Sequence, residues 1–179
     1  TWDRPMPEKT PLTDPKYTAG EIESAEALLE QGFFDLAIEL TSRFRGEKFV
    51  YVRAPIPYAA LMGDFSNIAD VMIALHLEPD RCKQIMDDSV PQIMEYIHAW
   101  KEVGVHGLWL GQWLCSADMI SEKDYLEFIF PRDKIIIDAV RDAGMVPIYH
   151  FCGDVHPRLK HIAKYEPVVF GVEEPKKGF

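Results

Sequence analysis

Cysteine is scarce in this chain: Cys82, Cys115 and Cys152 are the three it has. Thiols so few and so scattered build no disulfide framework, and a reducing, cytoplasmic setting is the simpler expectation. Long apolar runs are missing as well. None reaches the roughly 18 residues of a membrane span, and no secretory leader is recognisable. The first residue is Thr1 rather than Met, so a processed or trimmed N-terminus is expected. Positive charge is in deficit, with 19 Lys and Arg against 29 Asp and Glu and a net charge of -10. That balance disfavours nucleic acid and anionic membranes as partners, because phosphate binding needs a basic patch. A local basic site for a small anion remains compatible with it. No repeat of fixed short period is visible.

What is present reads as one globular core. The 179 residues are 47% apolar and 27% charged, the balance of an ordered soluble chain. Residues 1–17 carry four prolines and no periodicity, and read as an irregular arm. Residues 18–46 have helical spacing, with Gly32 and Gly46 as stops. "KFVYVRAP" (48–55) is β-rich and ends at a proline. Two helices follow, broken near Glu78-Pro79, the second running to Gly104 with a bend expected at Pro91. "VHGLWLGQW" (105–113) reads as a second strand. Residues 121–144 are helical, N-capped by Ser121 and closed by Gly144. "MVPIYHFC" reads as a third strand, "DVHPRLKHIAKY" as a short helix and "PVVFGVEE" (167–174) as a fourth strand. Apolar strands alternating with amphipathic helices predict a parallel sheet with βαβ crossovers. Because a (β/α)8 TIM barrel takes about 250 residues, the fold class expected is α/β, a partial barrel with four parallel strands, the alternative being a complete four-stranded open sheet.

The third strand ends on "VPIYHFCGDVHP" (146–157), and its last residues carry the chemistry. Side chains alternate along a strand, so Ile148, His150 and Cys152 share one face. His150 and Cys152 then stand near the carboxyl end, where barrel enzymes place their active sites. Imidazole nitrogen and thiolate sulfur both ligate zinc. On spacing alone two readings stay open: a metal pair lacking its further ligands, or a buried cysteine beside a hydrogen-bonded histidine. Asp154 has a plain role as cap of the next helix.

The segment "GVHGLWLGQWLCSADMISEKDYLEFIFPRDKIIIDAVRDAGMVPIYHFCGDVHPRLKHIAKY" resembles the uroporphyrinogen decarboxylase superfamily. The resemblance rests on an apolar strand and short loop followed by Ile120-Ser121, Tyr125, Phe128 and Pro131. It extends back through "VYVRAPIPYAALMGDFSNIADVMIALHLEPDRCKQIMD", covers 48–174 and makes 1–179 part of a single barrel domain. The "HFCGD" segment is similar to that of the corrinoid methyltransferase branch, which uses His-x-Cys and a distant cysteine to bind zinc. The resemblance thus implies His150 and Cys152 as zinc ligands, with a further cysteine beyond residue 179. It implies a methyl transfer between methylcobalamin, carried by a separate corrinoid protein, and a small thiol. The other branch implies uroporphyrinogen decarboxylation in porphyrin biosynthesis, and a non-catalytic paralogue of the same fold is a third reading. Dimerisation is left open.

One departure stands out. Where relatives tend to carry an acid after the second strand, this chain has Gly111-Gln112, and an amide is no general acid or base. Gln112 is therefore a candidate catalytic position only as a hydrogen-bonding group. Glu173, at the end of the fourth strand, falls where relatives often hold an acid and is the second candidate. Arg53 ends the first strand and suits either an anionic group or a surface ion pair. Cys115 reads as a small buried filler that faces the same cavity only in a secondary reading. His106 reads as structural, His156 and His161 as solvated, Cys82 as packing, and Trp100, Trp109 and Trp113 as core, with Trp113 at a loop edge.

Overall fold

A computed structural model describes residues 20–64, 67–165 and 169–172. The expected arm at 1–17 and the candidate Glu173 lie outside the described residues. Four strands form one sheet in the order β1-β2-β3-β4: β1 (Tyr51–Arg53), β2 (Gly107–Gln112), β3 (Val146–Phe151) and β4 (Val169–Val172). Every pairing is parallel, with Arg53 opposite Trp109, Trp109 opposite Ile148, and Ile148 opposite Val169. Parallel neighbours in sequence order need helical crossovers, and the intervening segments supply them.

The 18–46 segment makes two short helices, α1 (Ala25–Glu30) and α2 (Asp35–Arg43), because Gly32 turns the chain between them at φ 73°. Between β1 and β2 lie α3 (Pro57–Asp64), α4 (Ile68–Leu77) and α5 (Pro79–Val103). Pro79 opens α5 at a position whose N–H has no helical partner, and Gly104 ends it in the left-handed region. The helix is continuous through Pro91.

Between β2 and β3, Ser121 caps α6 (Glu122–Asp124) by accepting from the Asp124 N–H at 3.1 Å. A π-helical turn follows at Tyr125–Ile129, then α7 (Phe130–Asp142). The uniform helix expected over 121–144 is thus interrupted. Between β3 and β4 come a 3-10 turn at His156–Arg158, α8 (Leu159–Ile162) and a second 3-10 turn at Ala163–Tyr165.

All the long helices lie on one face of the sheet. Leu108, Leu110, Gln112, Tyr149 and Phe151 point to that face and are buried, beneath Ile93, Ile97 and Trp100 of α5 and Ile136, Ile137 and Val140 of α7. Burying each large apolar side chain there contributes roughly 1.5–3 kcal/mol. The opposite, helix-free face carries Tyr51, Arg53, Trp109, Ile148, His150 and Val169, all partly or largely exposed. In a βα barrel that face is the inner one. Among the described residues no single helix is long and apolar enough to cross a membrane.

Candidate functional site at the carboxyl end of the sheet

Three adjacent strands bring Arg53, Trp109 and His150 together on the helix-free face. His150 stands between two glycines, Gly111 on β2 and Gly171 on β4. Gly111 leaves no room for a Cβ, and Gly171 leaves little. A Cβ on Gly111 would collide with the Trp109 ring, so that ring lies flat across Gly111. A Cβ on Gly171 would meet His150 Nδ1 at 3.0 Å. The Trp109 and His150 rings pack against each other with centroids 5.2 Å apart and planes 31° apart. Imidazole orientation is therefore set by an aromatic wall on one side and a bare backbone on the other. Gly111→Ala should displace Trp109 and cost about 1–3 kcal/mol, the range for overpacking a filled site. Urea unfolding checks the cost, and a shift in tryptophan emission checks the displacement.

Arg53 rises toward the mouth. Its guanidinium lies 4.8 Å from the centroid of the Trp113 ring and 6.0 Å from that of Trp109. Among the described residues Arg53 makes no ion pair, so the surface ion pair read from the sequence is not seen.

Cys152 follows β3 directly, and its N–H donates to the Gln112 carbonyl at 2.9 Å. The turn behind it is stitched to the loop after β2. Ala117 N–H donates to Asp154 O at 2.9 Å, and Asp154 N–H to Asp118 Oδ2 at 2.9 Å. Gly153 adopts φ 79°, and a Cβ there would meet Ser116 Oγ at 2.8 Å, so both conformation and space demand glycine. Asp154 Oδ1 accepts from His156 N–H at 3.1 Å, although the residue that caps the following 3-10 turn is Val155 rather than Asp154. The buried Arg158 donates to Ile120 O at 2.7 Å and to Cys115 O at 3.4 Å, which holds the β2 loop from below. Cys152 thus sits on a turn fixed by contacts to the neighbouring loop rather than on a free end.

Gln112 needs correcting. The family pattern places it at the catalytic face, but it shares the parity of Leu108 and Leu110 and points among the helices, fully buried. Its Nε2 donates to Asp133 Oδ2 at 2.6 Å and its Oε1 accepts from Cys115 Sγ at 3.3 Å. Tyr149 donates to the same Asp133 oxygen at 2.5 Å. Burial pushes the Asp133 carboxyl up to about 7, against the pull of the two donors from Tyr149 and Gln112. Burial likewise raises the Cys115 thiol, with the Asp133 charge adding to it. Cys115 is accordingly the buried filler expected of it, engaged with Gln112.

The other histidines divide. His106 Nδ1 accepts from Val50 N–H at 2.9 Å, a structural role as read. His156 is exposed. His161 reads as solvated in the sequence but is buried, with Nε2 2.7 Å from Glu122 Oε1. Hydrogen bonds from Lys160 and then His161 pull Glu122 down to about 2. Trp100 is core, packed edge-on against Phe34, while Trp113 is 37% exposed.

The structure brings His150 and Cys152 to one end of β3, and it leaves Gln112 on the other face. No group of three or more His, Cys, Asp or Glu side chains suited to a metal occurs among the described residues. His150 and Cys152 offer nitrogen and sulfur donors of the kind zinc takes, and a complete site needs donors from outside these residues.

A family profile described as uroporphyrinogen decarboxylase (URO-D) matches residues 18–177. A methylated-thiol–coenzyme M methyltransferase of Methanosarcina mazei is 24% identical over 166 residues, which are 90% of this chain and 44% of that protein. A solved structure of a methyltransferase from Methanosarcina mazei superposes with a TM-score of 0.65 at 18% identity, over 83% of this chain and 46% of the other. That likeness is one of fold, a TIM-barrel type of which this chain forms a four-stranded part. The chain spans a little under half the length of each relative.

Proposed function

The chain belongs to the uroporphyrinogen decarboxylase family, and from that premise we propose that it forms part of a methyltransferase moving a methyl group between a corrinoid and a thiol. The observation that carries the proposal is the placement of His150 and Cys152 at the carboxyl end of β3, one on a wedged ring and one on a stitched turn. The 24% identity to a methylated-thiol–coenzyme M methyltransferase supports it.

In this reading His150 and Cys152 hold a zinc ion together with donors outside the described residues. A bound zinc ion lowers the pKa of a thiol, so that thiolate is available at neutral pH. The chain's own part is positional. Trp109 and Gly171 hold the imidazole in one orientation, which spares it the rotamer entropy of ligation. The 116–118 loop fixes the Cys152 turn from the other side. A methyl donor, carried on a separate corrinoid protein, would approach at the carboxyl end of the strands, where barrel enzymes place their chemistry. Gln112 takes no part in proton transfer here, since both ends of its amide are engaged beneath the sheet. Glu173, outside the described residues, stays the candidate acid that the resemblance implies.

The test is metal content. The full-length protein, purified without chelator, should carry about one zinc per chain. His150→Ala and Cys152→Ser should lower that to near zero while circular dichroism stays unchanged, because a hydroxyl is a far poorer zinc ligand than a thiolate. Equal zinc in all three proteins, or none in the wild type after zinc-replete expression, would refute the reading.

A further inference from the structure

We infer that Asp118 is a positioning residue, whose carboxylate reaches from the loop after β2 and fixes where Cys152 stands beside His150. The placement itself rests on geometry; its meaning for a metal rests on the proposed function. Cys152 lies where the chain leaves the sheet. On its amino side it is held as an extension of the strands, its N–H donating to Gln112 O at 2.9 Å. On its carboxyl side the chain turns at once, with Gly153 in the left-handed region at φ 79°. A glycine fixes no direction by itself, because it adopts either sign of φ about equally well. Whatever grips the chain just past Gly153 therefore decides where Cys152 is carried. Two hydrogen bonds supply that grip. Ala117 N–H donates to Asp154 O, and Asp154 N–H donates to Asp118 Oδ2, each at 2.9 Å. The first joins backbone to backbone and survives any side-chain change. The second depends on the Asp118 carboxylate, and a charged acceptor makes it the stronger kind of bond.

The gripping loop is itself braced, so it can serve as a template. Met119 N–H and Ile120 N–H both donate to Ser116 O, at 3.0 and 3.1 Å, which closes the loop on itself. The buried Arg158 side chain spans its two ends, Cys115 O and Ile120 O, and stacks 5.0 Å from the centroid of the Tyr125 ring. Loop and turn are packed too closely for a side chain between them: a Cβ on Gly153 would meet Ser116 Oγ at 2.8 Å and Asp118 Oδ2 at 3.2 Å. Asp118 is exposed, so the core does not need it for packing. What it adds is the position of one backbone N–H, two residues after Cys152. His150 has its own support in the Trp109 ring and Gly171. Asp118 gives Cys152 the corresponding support, and a pair of side chains presented from two rigid supports keeps its spacing.

The test compares the full-length protein with Asp118→Ala, Asp118→Asn and Asp118→Glu. Two readouts are taken: amide hydrogen exchange at Asp154 in metal-free protein, and zinc affinity by competition with a chromophoric chelator. Asp118→Ala removes the acceptor, so exchange at Asp154 should quicken about tenfold, the order expected when one hydrogen bond to a charged group is lost. Its zinc affinity should fall about tenfold, the lower end of the range for a lost supporting partner of a metal ligand. Asp118→Asn keeps an oxygen that accepts the same N–H and should match wild type in both readouts. Asp118→Glu keeps the charge but carries the oxygen one methylene farther, so it should fall with Asp118→Ala, and it carries the test alone if the alanine variant does not fold. Urea midpoints should stay near wild type in all three, because the residue is exposed. Exchange in Asp118→Ala as slow as in wild type overturns the inference, and so does zinc bound as tightly as in wild type. A series in which Asp118→Glu matches wild type and Asp118→Asn does not also overturns it, for then the charge matters and the position does not. Failure of the methyltransferase reading looks different. In that case wild type takes up no zinc, while Asp118→Ala still quickens exchange at Asp154 and Asp118→Asn still leaves it slow.

Discussion

Gln112→Glu should destabilise the protein by about 3–5 kcal/mol at pH 8, the range for a buried charge left without a partner. Gln112 Nε2 is 2.6 Å from Asp133 Oδ2 in a fully buried place beneath the sheet. The substitution exchanges a donor for an acceptor at that contact. Two carboxylates so close cannot both ionise in a low-dielectric setting, so the pair has to retain a proton. Tyr149 donates to the same Asp133 oxygen and offers no second proton to the new glutamate. Acidification should therefore rescue the variant, with urea midpoints near wild type at pH 5 and far below it at pH 8. The double variant Gln112→Glu with Asp133→Asn should recover much of the loss, because an asparagine amide donates where the aspartate cannot. A single variant as stable as wild type at pH 8 would mean that residue 112 faces the open side after all, and the catalytic reading of that position would return.

This position also shows what is legible in the sequence. Parity along "GLWLGQ" puts Gln112 with Leu108 and Leu110, and two leucines alternating with Trp109 and Gly111 mark the helix-covered side. The catalytic reading of Gln112 comes instead from the acid that relatives carry there, which says where a residue lies along the chain and not which way it points. The strands, their parallel order and the shared end of His150 and Cys152 are legible, because the period of two and the glycine punctuation are strong local signals. Helix α3 is not, since "PYAALM" has no polar face to give a period. The π turn at Tyr125–Ile129 is also hidden, because one extra residue in a helical turn barely disturbs an apolar stripe. The buried Arg158 looks like an ordinary surface cation; its role comes from backbone carbonyls of a distant loop, which no local pattern reports. Asp133 does have a signal. It lies four residues after Ile129 and four before Ile137, on the buried stripe of α7, where a charged residue is out of place.

Asp133→Asn should flatten the dependence of stability on pH. The carboxyl titrates at about 7 in the folded protein, while its ordinary value is 3.8. Between those values the folded state holds a proton that the unfolded chain has released. Wild-type stability should therefore fall as pH rises through this window and level off above about 7, with a slope of up to roughly 1.4 kcal/mol per pH unit. Accumulated from the lower value to the upper one, the loss approaches about 4 kcal/mol. The cause is burial, which the hydrogen bonds from Tyr149 and Gln112 offset only in part. An asparagine keeps an oxygen that accepts from both donors and has no proton to lose. The variant should be no less stable than wild type at pH 8 and should lose its advantage by pH 5. Urea midpoints for the two proteins at closely spaced pH values across and beyond the window provide the measurement. Parallel curves would show that Asp133 is ionised throughout and that a cation outside the described residues compensates it. Curves that converge toward pH 5 would establish a carboxylic acid held neutral below pH 7 beneath the strand that carries His150, which keeps negative charge off that part of the sheet at mildly acidic pH.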